Sequence, residues 1–88
     1  MLQIITTDFI EKFNALSNTV ADVYIKHLLY GAQKIKRCIL HPFADGDCIG
    51  LIINEEKSYI TMDELSDVSI SDTECVIKSE VMELYIHL

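Results

Sequence analysis

DFIEKFNALSNTVADVYIKHLLYG, residues Asp8–Gly31, is the stretch whose reading decides the fold. Phe9, Phe13, Leu16, Val20, Val23, His27 and Tyr30 recur at steps of four and three, one stripe of a helix, with Ile10, Tyr24 and Leu28 widening it. Asp8-Phe9-Ile10-Glu11 starts the pattern close to a capping box, and Gly31 stands where a left-handed C-cap belongs. Ser17-Asn18-Thr19 are three poor helix formers in the middle, and Thr19 with Asp22 three residues on offers a second start. The spacing predicts a helix over residues 8–30, or a helix pair broken near residues 17–19.

Outward from this stretch the pattern changes to strands. Lys34–His41 is rich in Ile, Leu and Cys without helical spacing, and Pro42 stops it. Asp45-Gly46-Asp47 is a turn, and Asp-Gly is a strong hairpin signal. Cys48–Ile53 is apolar on both faces, Asn54-Glu55-Glu56-Lys57 turns again, and Ser58–Thr61 is a short strand. Thr61-Met62-Asp63-Glu64 spells a capping box for a single helical turn ending near Leu65. Glu74–Lys78 and Met82–Leu88 form a closing hairpin. In its second arm Met82, Leu84, Ile86 and Leu88 take one face, and Glu83, Tyr85 and His87 the other. The expected fold is α+β, an N-terminal helix packed on a small, strongly bent antiparallel sheet or open barrel of about five short strands. One domain over 1–88 is expected, helical over 8–30 and antiparallel over 34–88.

The composition fits a folded chain: 88 residues, 50% hydrophobic, with a formal charge of -7. Such a length leaves room for one modest core. Cys38, Cys48 and Cys75 are an odd number with no C-x-x-C, and no secretory leader precedes them, so a reducing cytoplasm is expected. The longest apolar run, Cys48–Ile53, falls far below the ~20 residues of a membrane helix, and no membrane association is expected.

The motifs that suggest chemistry are each answered by a plainer reading. Asp45–Glu56 has the Asp, Asp, Gly and Glu spacing of a calcium loop. Ile49 and Ile53 stand where oxygen ligands are needed, though, and the flanks read as strands. Cys38 and His41 form a C-x-x-H, but residues three apart on a strand point to opposite faces. His27 lies on an apolar stripe, and Asp63, Glu64 and Asp67 lack a cleft that would split their pKa values. No Gly-rich loop offers a phosphate cradle. No enzyme, cofactor or metal is expected.

Charge is the distinctive feature. Residues 1–44 carry five cations against three carboxylates, whereas residues 45–88 carry two against eleven. Such an excess exceeds what solubility asks for and creates a field able to steer a basic partner. The expected function is a small non-enzymatic binding protein of cytoplasmic, phage-like type, whose acidic half engages a basic protein surface. In its most concrete form it is an inhibitor that mimics nucleic acid on a nucleic-acid-binding target. Glu55, Glu56, Asp63, Glu64 and Asp67 are expected to make one exposed patch, since Ser58–Thr61 spans only about 13 Å. A homodimer pairing through Phe9, Phe13, Leu16, Val20, Tyr24 and Leu28 on the helical stripe is expected as well, and one alternative is an assembly subunit whose function is that oligomer. Another is a nucleic-acid binder using Lys34, Lys36 and Arg37 beside Tyr30, which net acidity opposes. If the cysteines and the Asp45–Glu56 segment are structural, EDTA leaves the melting temperature unchanged. A fall of several degrees, reversed by zinc or calcium, would expose a metal site.

Overall fold

A computed structural model describes residues 5–88. It holds one helix, α1 (Thr7–Asn14), and eight strands. In chain order they are β1 (Val20–His27), β2 (Gly31–Ile39), β3 (Pro42–Asp45), β4 (Cys48–Ile53), β5 (Glu56–Thr61), β6 (Leu65–Ile70), β7 (Glu74–Ser79) and β8 (Met82–His87). A 3-10 turn, Met62–Glu64, joins β5 to β6. The strands form two antiparallel sheets, one of five in the order β2-β1-β8-β7-β6 and one of three in the order β3-β4-β5. The fold is mixed but mostly strand, with two sheets in place of the expected single sheet of about five strands.

The helix over 8–30 is corrected. Helical spacing holds only for the first turns, where Phe9 and Phe13 are buried with their rings stacked 6.0 Å apart. Thr6 is the N-cap, its Oγ1 accepting the Phe9 N–H at 3.1 Å. Asp8, expected there, lies in the first turn and pairs with Lys12. The helix ends at Asn14, and a turn over residues 15–18 leads to the poor formers 17–19, Asn18 taking a left-handed φ of 66°. Beyond it Ala21, Val23 and Ile25 are buried while Asp22, Tyr24 and Lys26 are not, which is the period of a strand. Val20, Val23 and His27 also satisfy helical steps, so the two periods overlap, and the β-branched residues together with pairing on both edges of β1 favour the strand. Gly31, at φ 81°, closes the β1–β2 hairpin opposite His27 and caps no helix.

Several later expectations stand in the structure. The β3–β4 hairpin pairs Asp45 with Cys48, so Gly46 and Asp47 are the loop residues, with Gly46 at φ 54°. The β4–β5 hairpin pairs Ile53 with Glu56, and Asn54 and Glu55 both take positive φ, as a type I′ turn requires. Thr61 precedes the 3-10 turn without making a side-chain cap bond, so only the position of that capping box is right. Met82, Leu84 and Ile86 face inward as expected, whereas Leu88, expected with them, lies past the end of β8 and is exposed.

One core joins the layers. Ala21, Val23, Ile25, Ile77, Leu84 and Ile86 come from the large sheet, Ile49, Leu51 and Ile60 from the small one, and Phe9 and Phe13 from α1. The helix lies against β3 and β6, an edge strand of each sheet. Leu40, fully buried, donates its N–H to the Thr19 carbonyl at 2.8 Å, and its own carbonyl accepts the Asn18 N–H at 2.9 Å. These bonds fasten the entry of β1 to the exit of β2.

Gly50 sits where any Cβ would press far inside van der Waals contact with the Ser58 carbonyl oxygen and the Tyr59 Cα. The obstruction is backbone, so it cannot swing aside. Gly50→Ala is expected to cost about 3 kcal/mol, the upper part of the overpacking range. A urea melt with an unchanged midpoint would show that β4 and β5 can separate freely.

Candidate binding surfaces

The five carboxylates expected in one patch are separated. Glu55 is in the β4–β5 turn and Glu56 opens β5, whereas Asp63 and Glu64 lie past the far end of β5, which runs extended for six residues. Five steps of extended chain span roughly 17 Å. Asp67 is on β6, directly opposite Lys78. The sequence estimate failed because it began the strand at Ser58, two residues late, and the hairpin carries its tip away from the 3-10 turn.

A different acidic group forms instead. The Met62 N–H donates to the Asp47 carbonyl at 2.7 Å, tying the 3-10 turn to the β3–β4 hairpin. Asp45, Asp47, Asp63 and Glu64 thereby share one end of the small sheet, all four exposed, and among the described residues none makes an ion pair. The sequence offers Asp45 and Asp47 as turn formers and as the opening positions of a calcium-type spacing, not as members of an acidic patch. Their company with Asp63 and Glu64 depends on a bond between segments that are distant in sequence.

Cations gather on the outer face of the large sheet. Tyr24 and Tyr85 are cross-strand partners on β1 and β8, with ring centroids 5.8 Å apart. Lys34 Nζ lies 5.7 Å from the Tyr24 centroid and Lys78 Nζ 5.6 Å from that of Tyr85, both within cation–π range. The Tyr85 hydroxyl donates to Glu83 Oε1. That bond holds the Glu83 carboxyl below its ordinary range, burial opposing and Lys26 and Lys78 assisting, while the same bond pushes the Tyr85 hydroxyl up. An open groove of about 680 Å³ runs along this face, lined by Lys26, Lys34 and Lys36 but also by Asp22, Glu74 and Glu83. Arg37 sits at a bulge in β2 with φ 53°, its N–H bonded to Asp22 Oδ1 at 3.0 Å. Tyr30, expected beside Lys34, Lys36 and Arg37, is instead at the β1–β2 tip against His27, and Tyr24 takes the place beside Lys34.

The stripe expected for self-association is dispersed for the same reason that the long helix fails. Phe9 and Phe13 are in the core, Leu16 packs half-buried against it, and Tyr24 belongs to the tyrosine pair. Val20 is exposed beside Ile39, and Leu28 is exposed at the hairpin tip. Only these last two present an open apolar side chain.

The thiols lie in three different strands. Cys38 and Cys48 are half-buried and Cys75 is fully enclosed, and among the described residues no three His, Cys, Asp or Glu side chains converge as metal ligands. His41 lies beyond the end of β2, and His27 Nδ1 is engaged by the Leu29 N–H at 3.2 Å. No described helix is long and apolar enough to cross a membrane. Comparison of the chain with protein-family models, curated proteins and solved structures finds no match.

Burial, helped by the Glu74 charge, pushes the Cys75 thiol up to about 12 from 9.0. A raised folded pKa means that the associated stability is complete below pH 9 and is lost as pH climbs towards 12. At pH 8 a disulfide reagent such as DTNB is therefore expected to titrate Cys38 and Cys48 in the folded protein, and Cys75 only after unfolding. Three fast thiols under native conditions would contradict the enclosure of Cys75.

Proposed function

We propose that this chain is a non-enzymatic binding protein whose acidic side engages a basic surface on another protein. The segregation of charge between the two sheets supports this reading. Lys26, Lys34, Lys36, Arg37 and Lys78 lie on the outer face or edge of the large sheet, interleaved with Asp22, Asp67, Glu74 and Glu83. With Asp72 and Glu80 in its turns the large sheet carries six carboxylates against those five cations, whereas the small sheet and the 3-10 turn carry six against Lys57 alone, and α1 carries Asp8 and Glu11 with Lys12. Lys12 pairs with Asp8 at 3.3 Å and Lys57 lies over the Phe43 ring. The group Asp45, Asp47, Asp63 and Glu64 is thus an uncompensated acidic end, suited to steering a basic groove towards it.

An inhibitor that occupies a nucleic-acid groove, with carboxylates in place of phosphates, is the specific form proposed. Three unpaired cysteines support a reducing cytoplasm as its compartment. Direct nucleic-acid binding through Lys34, Lys36 and Arg37 is the weaker reading, because neighbouring carboxylates offset the cations along the groove.

Asp47→Lys, Asp63→Lys and Glu64→Lys combined is the test. All three positions are exposed, so each substitution is expected to shift stability by no more than ~0.5 kcal/mol. Association with a basic nucleic-acid-binding protein identified by cross-linking should slow by tenfold or more and lose most of its salt dependence. Reversal at Glu55 and Glu56, at the other end of β5, should matter much less. Undiminished binding by the triple variant would refute this function.

A further inference from the structure

The β1–β2 hairpin ends in three bulky apolar side chains that the other described residues leave uncovered. Leu28, Leu29 and Tyr30 are 71%, 77% and 83% exposed. Turn positions ordinarily carry Gly, Asn, Asp or Ser, and here Gly31 already supplies the left-handed residue the turn needs. The Leu-Leu-Tyr sequence thus serves neither the turn nor the core. We infer that this tip is the surface through which two copies of the chain pair.

The tip is held in a fixed shape before any contact is made. The Leu28 N–H donates to the Val81 carbonyl at 2.9 Å, the Leu29 N–H donates to His27 Nδ1 at 3.2 Å, and the Tyr30 ring lies 4.6 Å from the His27 ring. An ordered apolar finger loses little conformational entropy when it is covered. Val81, 42% exposed, extends the patch through its bond to Leu28, and Tyr59, 48% exposed, lines the same groove as Tyr30.

Area and charge both point to a second copy as the occupant. Together the five residues, backbone and tyrosine hydroxyls included, expose roughly 600 Å², against about 300–600 Å² for the largest apolar patch on a typical monomer. Two-fold pairing would remove about twice that from water, which reaches the lower bound of a specific interface. The surrounding charges are balanced, unlike the acidic end. Lys26 precedes the patch on β1, Glu80 precedes Val81, and Glu56 and Lys57 line the groove beside Tyr30. A rim with both signs can meet its own copy with opposite charges facing, whereas a basic partner would find no net attraction there. This pairing surface is separate from the acidic end, and one can fail without the other.

Sedimentation equilibrium of the full chain over a micromolar to high-micromolar range tests the inference. A reversible dimer of twice 10.0 kDa is expected. Leu28→Ser with Leu29→Ser should weaken it at least tenfold while leaving the thermal melt nearly unchanged. Tyr30→Ala alone should weaken it by a smaller factor, and the Asp47, Asp63 and Glu64 lysine variant should dimerise as the parent does. A wild-type monomer at the highest concentration would overturn the inference. So would a dimer indifferent to the double serine variant. A monomer whose tip instead carries it onto phosphatidylcholine vesicles in flotation would assign the tip to a lipid surface and overturn it equally.

Discussion

The pairing of β1 with β8, from Asp22 opposite His87 to His27 opposite Met82, is the constraint on which the rest depends. It brings the first strand of the chain against the last and leaves β1 with a neighbour on each side. Ala21, Val23 and Ile25 then face the core beside Leu84 and Ile86. A β1–β2 hairpin alone would be marginal in water, and joining it to β8 makes a five-stranded sheet with a buried face. The cost is a loop closure over most of the chain, so that contact must be rewarded by burial well beyond its own hydrogen bonds.

The same register places the polar features. Because Tyr24 stands opposite Tyr85, their rings meet on the outer face, and Lys34 and Lys78 reach them from the flanking strands β2 and β7. A one-residue slip of β1 against β8 would turn Tyr24 into the core and Val23 outward while Tyr85 stayed on the outer face, separating the pair. The alignment also sets Leu28 against Val81, which fixes the direction of the exposed hairpin tip. Three surfaces of different character result: a mixed tyrosine–lysine face, an acidic end on the small sheet, and an apolar tip.

The edges of the large sheet are managed differently. Edge strand β6 has α1 beside it, while edge strand β2 is long and mostly exposed. Lys34, Lys36 and Arg37 on β2, with the bulge at Arg37, are the devices that discourage edge-to-edge pairing. Their clustering has this local explanation, which further weakens a nucleic-acid reading of those cations.

By itself the sequence determined the turns at Asp45–Asp47 and Asn54–Glu55, most of β2, the strands from β4 onward except β6, the 3-10 turn and the inward face of β8. Each of these rests on chemistry within a few residues: Gly46 and Asn54 at positive φ, or Met82, Leu84 and Ile86 alternating with polar neighbours. It also determined the imbalance of charge, though not its geography. Residues 20–30 were beyond it, since Val20, Val23, His27 and Tyr30 fit a helical step while Ala21, Val23 and Ile25 fit a strand. Only the tertiary structure decided between them, because β8 and β2 supply hydrogen-bond partners for both edges of β1 and no local propensity encodes a partner some sixty residues away. For the same reason the joining of Asp47 to Met62, the Tyr24–Tyr85 pair and the uncovered tip at Leu28–Tyr30 belong to the fold and not to any one segment of the chain.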